Sequence, residues 1–221
     1  MITTSPLRVA VLLGSTRIDG PPRPTNLGRR VGSWMETVLQ ARCHTVDIVD
    51  PIVENLPLLQ RPHFTYGTAP PDLEGLATRL RDADAYVMCT PEYNHAPSPA
   101  LLNTLNHFGS SIFSFKPSLI VSYSAGQWGG VRAAHALRPT LSELGCLPVS
   151  AMLHLPRAQE VFEDDGSLAV EADAARWASY AARGVSQLEW WGEAAKTHRA
   201  RVDPMVGSPA LRQTPAQRDS P

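Results

Sequence analysis

The sequence predicts a three-layer α/β/α fold on a five-stranded parallel sheet in the order 2-1-3-4-5. Three observations lead there. Short aliphatic runs alternate with helix-periodic stretches along most of the 221 residues, and right-handed crossovers then place helices on both faces of one sheet. The runs at 7–13, 85–90 and 119–123 are mostly apolar, as in strands buried on both faces. The other two runs carry edge marks: 44–49 alternates polar with apolar, and 147–152 contains Pro148, which has no N–H for a ladder.

The elements follow in order. Strand one, Leu7 to Leu13, ends at Gly14. Leu27, Val31, Trp34, Met35, Val38 and Leu39 then recur at spacings of three and four, an apolar helical stripe with Asn26 as its N-cap. Strand two is His44 to Val49. Residues 50–71, with Pro51, Pro57, Pro62, Pro70 and Pro71, show no periodicity and read as a surface or interface loop. A short helix, Leu73 to Arg81, leads into strand three, Ala85 to Thr90, which is expected to stop at Pro91. Ser98 and Pro99 suit the N-cap and first residue of a helix whose apolar face is Leu101, Leu102, Leu105 and Phe108. Strand four, Leu119 to Tyr123, is followed by a helix from Gly129 to Leu144, ended by Gly145 and kinked or weakened by Pro139. Strand five is Leu147 to Met152, and the last helix is Asp173 to Trp191. One domain over residues 1–194 results, with 195–221 a proline-rich tail that is flexible or partner-dependent.

Composition removes several classes of function. Twenty basic and 21 acidic residues are interspersed, giving a formal net charge of −1 and no basic surface for a nucleic acid backbone. Cys43, Cys89 and Cys146 lie far apart without a C-x-x-C pair, against a disulfide framework or a structural zinc and in favour of a reducing cytoplasm. No basic leader opens the chain, and no apolar run approaches the roughly 20 residues of a membrane helix. Ser15 and Ser124 lie outside any G-x-S-x-G elbow. Asp164-Asp165-Gly166 reads as a turn, and Trp190-Trp191 as a packing or subunit contact.

In the order 2-1-3-4-5, strands one, three and four are neighbours, and the ligand crevice lies at the switch between one and three. The distinctive loops follow those three strands. After strand one, Gly14-Ser15-Thr16-Arg17 and then Thr25-Asn26 at a helix start offer amides, hydroxyls and a guanidinium to a monophosphate; an ordinary helix-capping loop uses the same residues. After strand three, Pro91-Glu92-Tyr93-Asn94 and His95-Ala96-Pro97-Ser98-Pro99 hold the backbone in a fixed course against a flat heterocycle, or simply connect strand to helix with Tyr93 packed. His95 reads either as a general base or as a solvated loop residue. After strand four, Ser124-Ala125-Gly126-Gln127-Trp128-Gly129-Gly130 permits close backbone approach but departs from a dinucleotide fingerprint.

With these loops the sequence resembles the NADPH-dependent FMN reductase family, flavodoxin-like flavin, quinone, azo and chromate reductases. The resemblance covers about residues 7 to 190, and Pro91-Glu92-Tyr93-Asn94 is its most specific segment. It implies a flavodoxin-like fold with bound FMN, whose phosphate is held by Ser15, Arg17, Thr25 and Asn26. Residues 91–94 would border the isoalloxazine, and Ser124, Ala125, Gly126 and Gly129 its pyrimidine edge. It further implies NADPH or NADH as cosubstrate, a ping-pong passage of electrons to a small-molecule acceptor with no side chain as acid or base, and a homodimer or homotetramer with flavin near the subunit boundary. The residues 18–24 and Leu102-Asn103-Thr104, which lacks a family lysine, depart from the family pattern. Two further readings fit the same loops, an FMN-binding electron carrier or sensor without nicotinamide turnover and a homologue that binds no flavin. The near-neutral charge stands against the carrier.

Overall fold

The computed structural model describes residues 5–19 and 26–207. In chain order it contains β1 (Arg8–Leu13), α1 (Leu27–Gln40), β2 (Thr45–Val49), α2 (Pro51–Glu54), a 3₁₀ turn (His63–Thr65), α3 (Pro71–Asp82), β3 (Ala85–Tyr93) and β4 (Ala96–Pro97). Next come α4 (Pro99–Phe108), α5 (Ser110–Phe113), β5 (Pro117–Tyr123), α6 (Val131–Glu143), β6 (Leu147–Pro148), β7 (Leu153–Leu155), α7 (Ala158–Val161), α8 (Ala174–Arg199) and α9 (Pro204–Gly207). The sheet runs β2-β1-β3-β5-β6, with β7 also on β5 and β4 on β3. The pairings β1 with β2 and β3, and β3 with β5, are all parallel. Counted by core strands, this is the expected order, with the alternating strand at one edge and the proline-bearing strand at the other.

Side chains of successive strand residues point to opposite faces, so each buried strand feeds two cores. Val9, Val11, Leu13, Val87 and Val121 pack with Val31, Trp34, Met35 and Leu39 of α1 and with Val185 and Leu188 of α8. Ala10, Leu12, Tyr86, Met88 and Ile120 face Leu76 and Leu80 of α3, Leu101 and Phe108 of α4, and Leu137 and Leu141 of α6. Among the described residues no helix is long and apolar enough to cross a membrane.

Four expectations are corrected. The fifth strand is not continuous: β6 and β7 are separated by Val149–Met152, where the Ala151 N–H donates to Gln187 Oε1 rather than to a ladder. Pro148 cannot extend the pairing, and the Arg138 guanidinium covers the edge by donating to the carbonyls of Pro148 and Val149. The third strand does not stop at Pro91. It continues to Tyr93 and folds back as β4, because Asn94 (φ 51°) and His95 (φ 66°) both take positive φ, the requirement of a two-residue type I′ hairpin. The last helix does not end near Trp191. Helix α8 continues to Arg199, where Lys196 Nζ lies 2.8 Å and Arg199 3.5 Å from the Asp84 carboxylate, which also accepts the Arg8 N–H. Finally, residues 50–71 are not wholly irregular: Asp50 caps α2 through the Ile52 N–H, and Asn103 on α4 holds the segment at the Leu59 N–H and Pro57 carbonyl.

Candidate functional site

Parallel strands deliver their carboxyl ends to one edge of the sheet, so the loops after β1, β3 and β5 become neighbours although they are far apart in sequence. Ser15, Tyr93 and Ser124 leave three adjacent strands on that edge.

The first loop leads to the amino end of α1. Ser15 is buried, and its Oγ accepts the Arg17 N–H at 3.2 Å and lies 3.3 Å from the Tyr93 hydroxyl. The first and second predicted loops therefore meet through side chains. Arg17 is exposed. Asn26 occupies the N-cap position, but with φ 64°, and its side chain makes no capping bond. The expectation of an ordinary asparagine cap is thus corrected: a left-handed backbone turns the amide away. The first turn of α1 has no acidic side chain, so its partly positive end is not neutralised from within the helix. Thr25 lies outside the described residues.

In the second loop, Pro91 is buried in β3 beside Tyr123 of β5, and Asn94 is exposed at the hairpin tip. Glu92 has a role not anticipated from sequence. Its Oε2 accepts the N–H groups of Arg132 (3.1 Å) and Ala133 (3.4 Å), and its Oε1 lies 2.7 Å from the Arg132 guanidinium. The residue at the N-cap of α6 is Gly130, which has no side chain to cap with, so Glu92 caps that helix from a neighbouring strand. Its carboxylate ties the second loop to the third, and its backbone stays in the hairpin.

The third loop is fastened from the following segment. The Ser124 N–H donates to the Leu155 carbonyl, Gln159 Nε2 to the Ala125 carbonyl and the Arg157 N–H to the Gly126 carbonyl, while Ser124 Oγ donates to the Gly126 carbonyl. Ser122 Oγ donates to the Gly129 carbonyl at 2.7 Å and lies 2.8 Å from His154 Nδ1, whose pKa burial lowers. Gly129 takes φ 59°, and a Cβ there would lie 2.9 Å from the backbone nitrogens of Leu155 and Pro156, so no other residue fits this crossing. Gly126, Gln127 and Trp128 remain exposed at the rim, Trp128 by 61%.

Sequence reasoning missed Tyr123. Its ring is buried at the end of β5, its hydroxyl has no partner at full hydrogen-bond geometry, and burial pushes its pKa well up against a small opposing effect of the Ser15 side chain. A mostly apolar strand ending in tyrosine was the available signal.

The strand order and the helices on both faces define a flavodoxin-like α/β/α scaffold. A flavoenzyme NAD(P)H:(acceptor) oxidoreductase from Paracoccus denitrificans superposes with a TM-score of 0.63 at 21% identity, covering 83% of this chain and 97% of that one. An oxidoreductase from Corynebacterium diphtheriae gives a TM-score of 0.60 at 16% identity, covering 84% and 96%. At these identities the likeness establishes the fold. The chain belongs to the NADPH-dependent FMN reductase family, whose model matches residues 7–160. An NADPH azoreductase of Bacillus sp. (strain OY1-2) is 31% identical over 128 residues, 57% of this chain and 66% of the relative. An NAD(P)H-dependent FMN reductase of Pseudomonas aeruginosa is 31% identical over 149 residues, 63% and 79% respectively. The chain thus spans between 66% and 79% of the length of these two curated relatives.

Proposed function

We propose that the protein binds FMN at the carboxyl edge of β1, β3 and β5 and uses NADPH or NADH to reduce a small acceptor such as a flavin, quinone or azo compound. The observation that carries the reading is the meeting of Ser15 and Tyr93 at 3.3 Å beside an α1 terminus without a side-chain cap. The donor set fits an FMN phosphate: Ser15 stands against the first turn of α1 and accepts the N–H of the exposed Arg17, and Asn26 Oδ1 is buried at the helix start without a hydrogen-bond partner. Thr25 is assigned to the same phosphate.

The protein's own part is to position and to exclude water. Ser15, Arg17, Thr25 and Asn26 anchor the phosphate, and Tyr93 with the Pro91–Asn94 backbone borders the ring on one side. Ser124, Ala125, Gly126 and Gly129 present backbone to its polar edge, held still by Glu92 on one flank and the Arg157 and Gln159 contacts on the other. Bound FMN supplies the hydride acceptance and electron transfer that no protein side chain provides. Trp128 at the rim offers an aromatic surface for a flat acceptor. The reading includes a cytoplasmic homodimer or homotetramer, supported by the exposure of Trp190 (70%) and Trp191 (46%).

The purified protein is expected to carry or take up a yellow chromophore that NADPH bleaches anaerobically and a quinone restores. Protein that fails to bind added FMN, or a bound flavin that neither NADPH nor NADH reduces, overturns the assignment.

A further inference from the structure

Tyr123 stands out among the buried polar groups. Tyr123 is 3% exposed, and its hydroxyl has no partner at full hydrogen-bond geometry, although the Ser15 side chain is close enough to interact with it. A buried O–H that exchanges water for so weak a contact is costly, and such groups in folded proteins call for a stronger partner. The direction in which this one points is fixed by Gly28 in the first turn of α1: a Cβ built on that glycine would lie 2.7 Å from the Tyr123 hydroxyl and 3.1 Å from Ser15 Cβ. The phenol therefore ends under the open amino end of a 14-residue helix, beside the serine assigned to the phosphate. A second unpartnered atom, Asn26 Oδ1, is buried at the same helix start.

Gly28 is costly in its own right, because glycine early in a helix loses more chain entropy than alanine would. The space it leaves is taken by the phenol oxygen. Desolvation and neighbouring groups keep Tyr123 protonated well beyond the ordinary tyrosine range, so the group is a neutral donor that can approach an anion without repelling it.

We propose that the Tyr123 hydroxyl is a phosphate-recognition group, donating a hydrogen bond from beneath the α1 terminus to a terminal phosphate held by Ser15, and that it thereby distinguishes a phosphorylated flavin from the same flavin without phosphate. This rests on the FMN reading above, which it deepens by naming the residue that reads the phosphate. Ser15 Oγ, 3.3 Å from Tyr93, completes a line of hydroxyls from the phosphate floor toward the ring side of the cleft.

The test uses the full chain and Tyr123→Phe, which keeps the ring and removes only the oxygen. Affinities for FMN and for riboflavin are measured by fluorescence titration of flavin-stripped protein, and melting temperatures are taken in phosphate and in chloride at equal ionic strength. The expected result is FMN affinity weakened roughly tenfold to a hundredfold, the size of one hydrogen bond to a charged partner, with riboflavin affinity unmoved. The flavin-free variant is expected to melt no lower than wild type, and its phosphate-specific stabilisation to shrink. Equal FMN affinity in the two proteins, or equal losses for FMN and riboflavin, overturns the proposal and leaves the FMN reading standing. Wild type that ignores FMN but gains more from phosphate than the variant does removes the FMN reading and retains the role of Tyr123. Indifference to both FMN and phosphate removes both.

Discussion

Replacing Glu92 tests whether the second and third loops are held as one unit. In Glu92→Ala the amides of Arg132 and Ala133 lose their acceptor. Loss of a helix N-cap costs about 1 kcal/mol, and loss of a negative charge at that terminus about 0.3–1 kcal/mol more. The guanidinium contact adds no more than about 0.5 kcal/mol, since the Arg132 side chain is 38% exposed and screened by solvent. The sum is about 2 kcal/mol, or a fall in Tm of roughly 4–8 °C for a chain of this size. Glu92→Gln keeps an oxygen for the amides and gives up only charge, so about 1 kcal/mol is expected. Urea unfolding of the flavin-free protein, followed by circular dichroism, measures both, and FMN affinity should fall in the same order as stability. An alanine variant within about 0.5 kcal/mol of wild type, or a glutamine variant as damaged as the alanine one, would refute the capping argument.

Other outcomes follow from the same geometry. Gly28→Ala should destabilise the flavin-free protein by about 1–3 kcal/mol through overpacking. The cost should shrink in a Tyr123→Phe background, where the ring Cζ at 3.7 Å becomes an ordinary contact; equal melting losses in both backgrounds would contradict the placement of the phenol. Arg17→Ala is expected to reduce the FMN-induced rise in Tm, and an undiminished rise would remove Arg17 from the phosphate site. Lys116 donates to the carbonyls of Leu80 and Arg81 and to Tyr86 Oη, and burial, reinforced by Arg199 and opposed by Asp84, Cys146 and Asp82, lowers its pKa from 10.5 to about 8. Between pH 8 and 10.5 the unfolded chain holds the proton that the folded chain has released, so stability contributed by this group rises with pH in that window, by up to about 3 kcal/mol. Lys116→Met should flatten that rise relative to wild type in urea unfolding at pH 7.5, 9 and 10; parallel profiles would show that the burial penalty is absent.

The parts of this protein legible in its sequence are those with a local cause. Apolar runs at 7–13, 85–90 and 119–123 declare strands covered on both faces, because a side chain's burial is written in its own polarity. Alternation in β2 and Pro148 in β6 mark the sheet edges for equally local reasons, and Ser98 with Pro99 marks the start of α4, where Ser98 Oγ accepts the Leu101 N–H. The order of the strands then brings the three loops to one edge. Tertiary structure decided the rest, since each of those features depends on a partner remote in the chain. Whether Pro91 ends a strand depended on the Asn94-His95 turn that lets β4 fold back on it. Glu92 has no neighbour in sequence to reveal that it caps α6 about forty positions away. The last helix outruns its apolar pattern because Lys196 and Arg199 find Asp84, a polar attraction that hydrophobic periodicity does not encode. Tyr123 reads in sequence as one more core aromatic; only the tertiary approach of the α1 start leaves its hydroxyl buried, without a partner at full hydrogen-bond geometry, against the one residue of that turn that has no side chain.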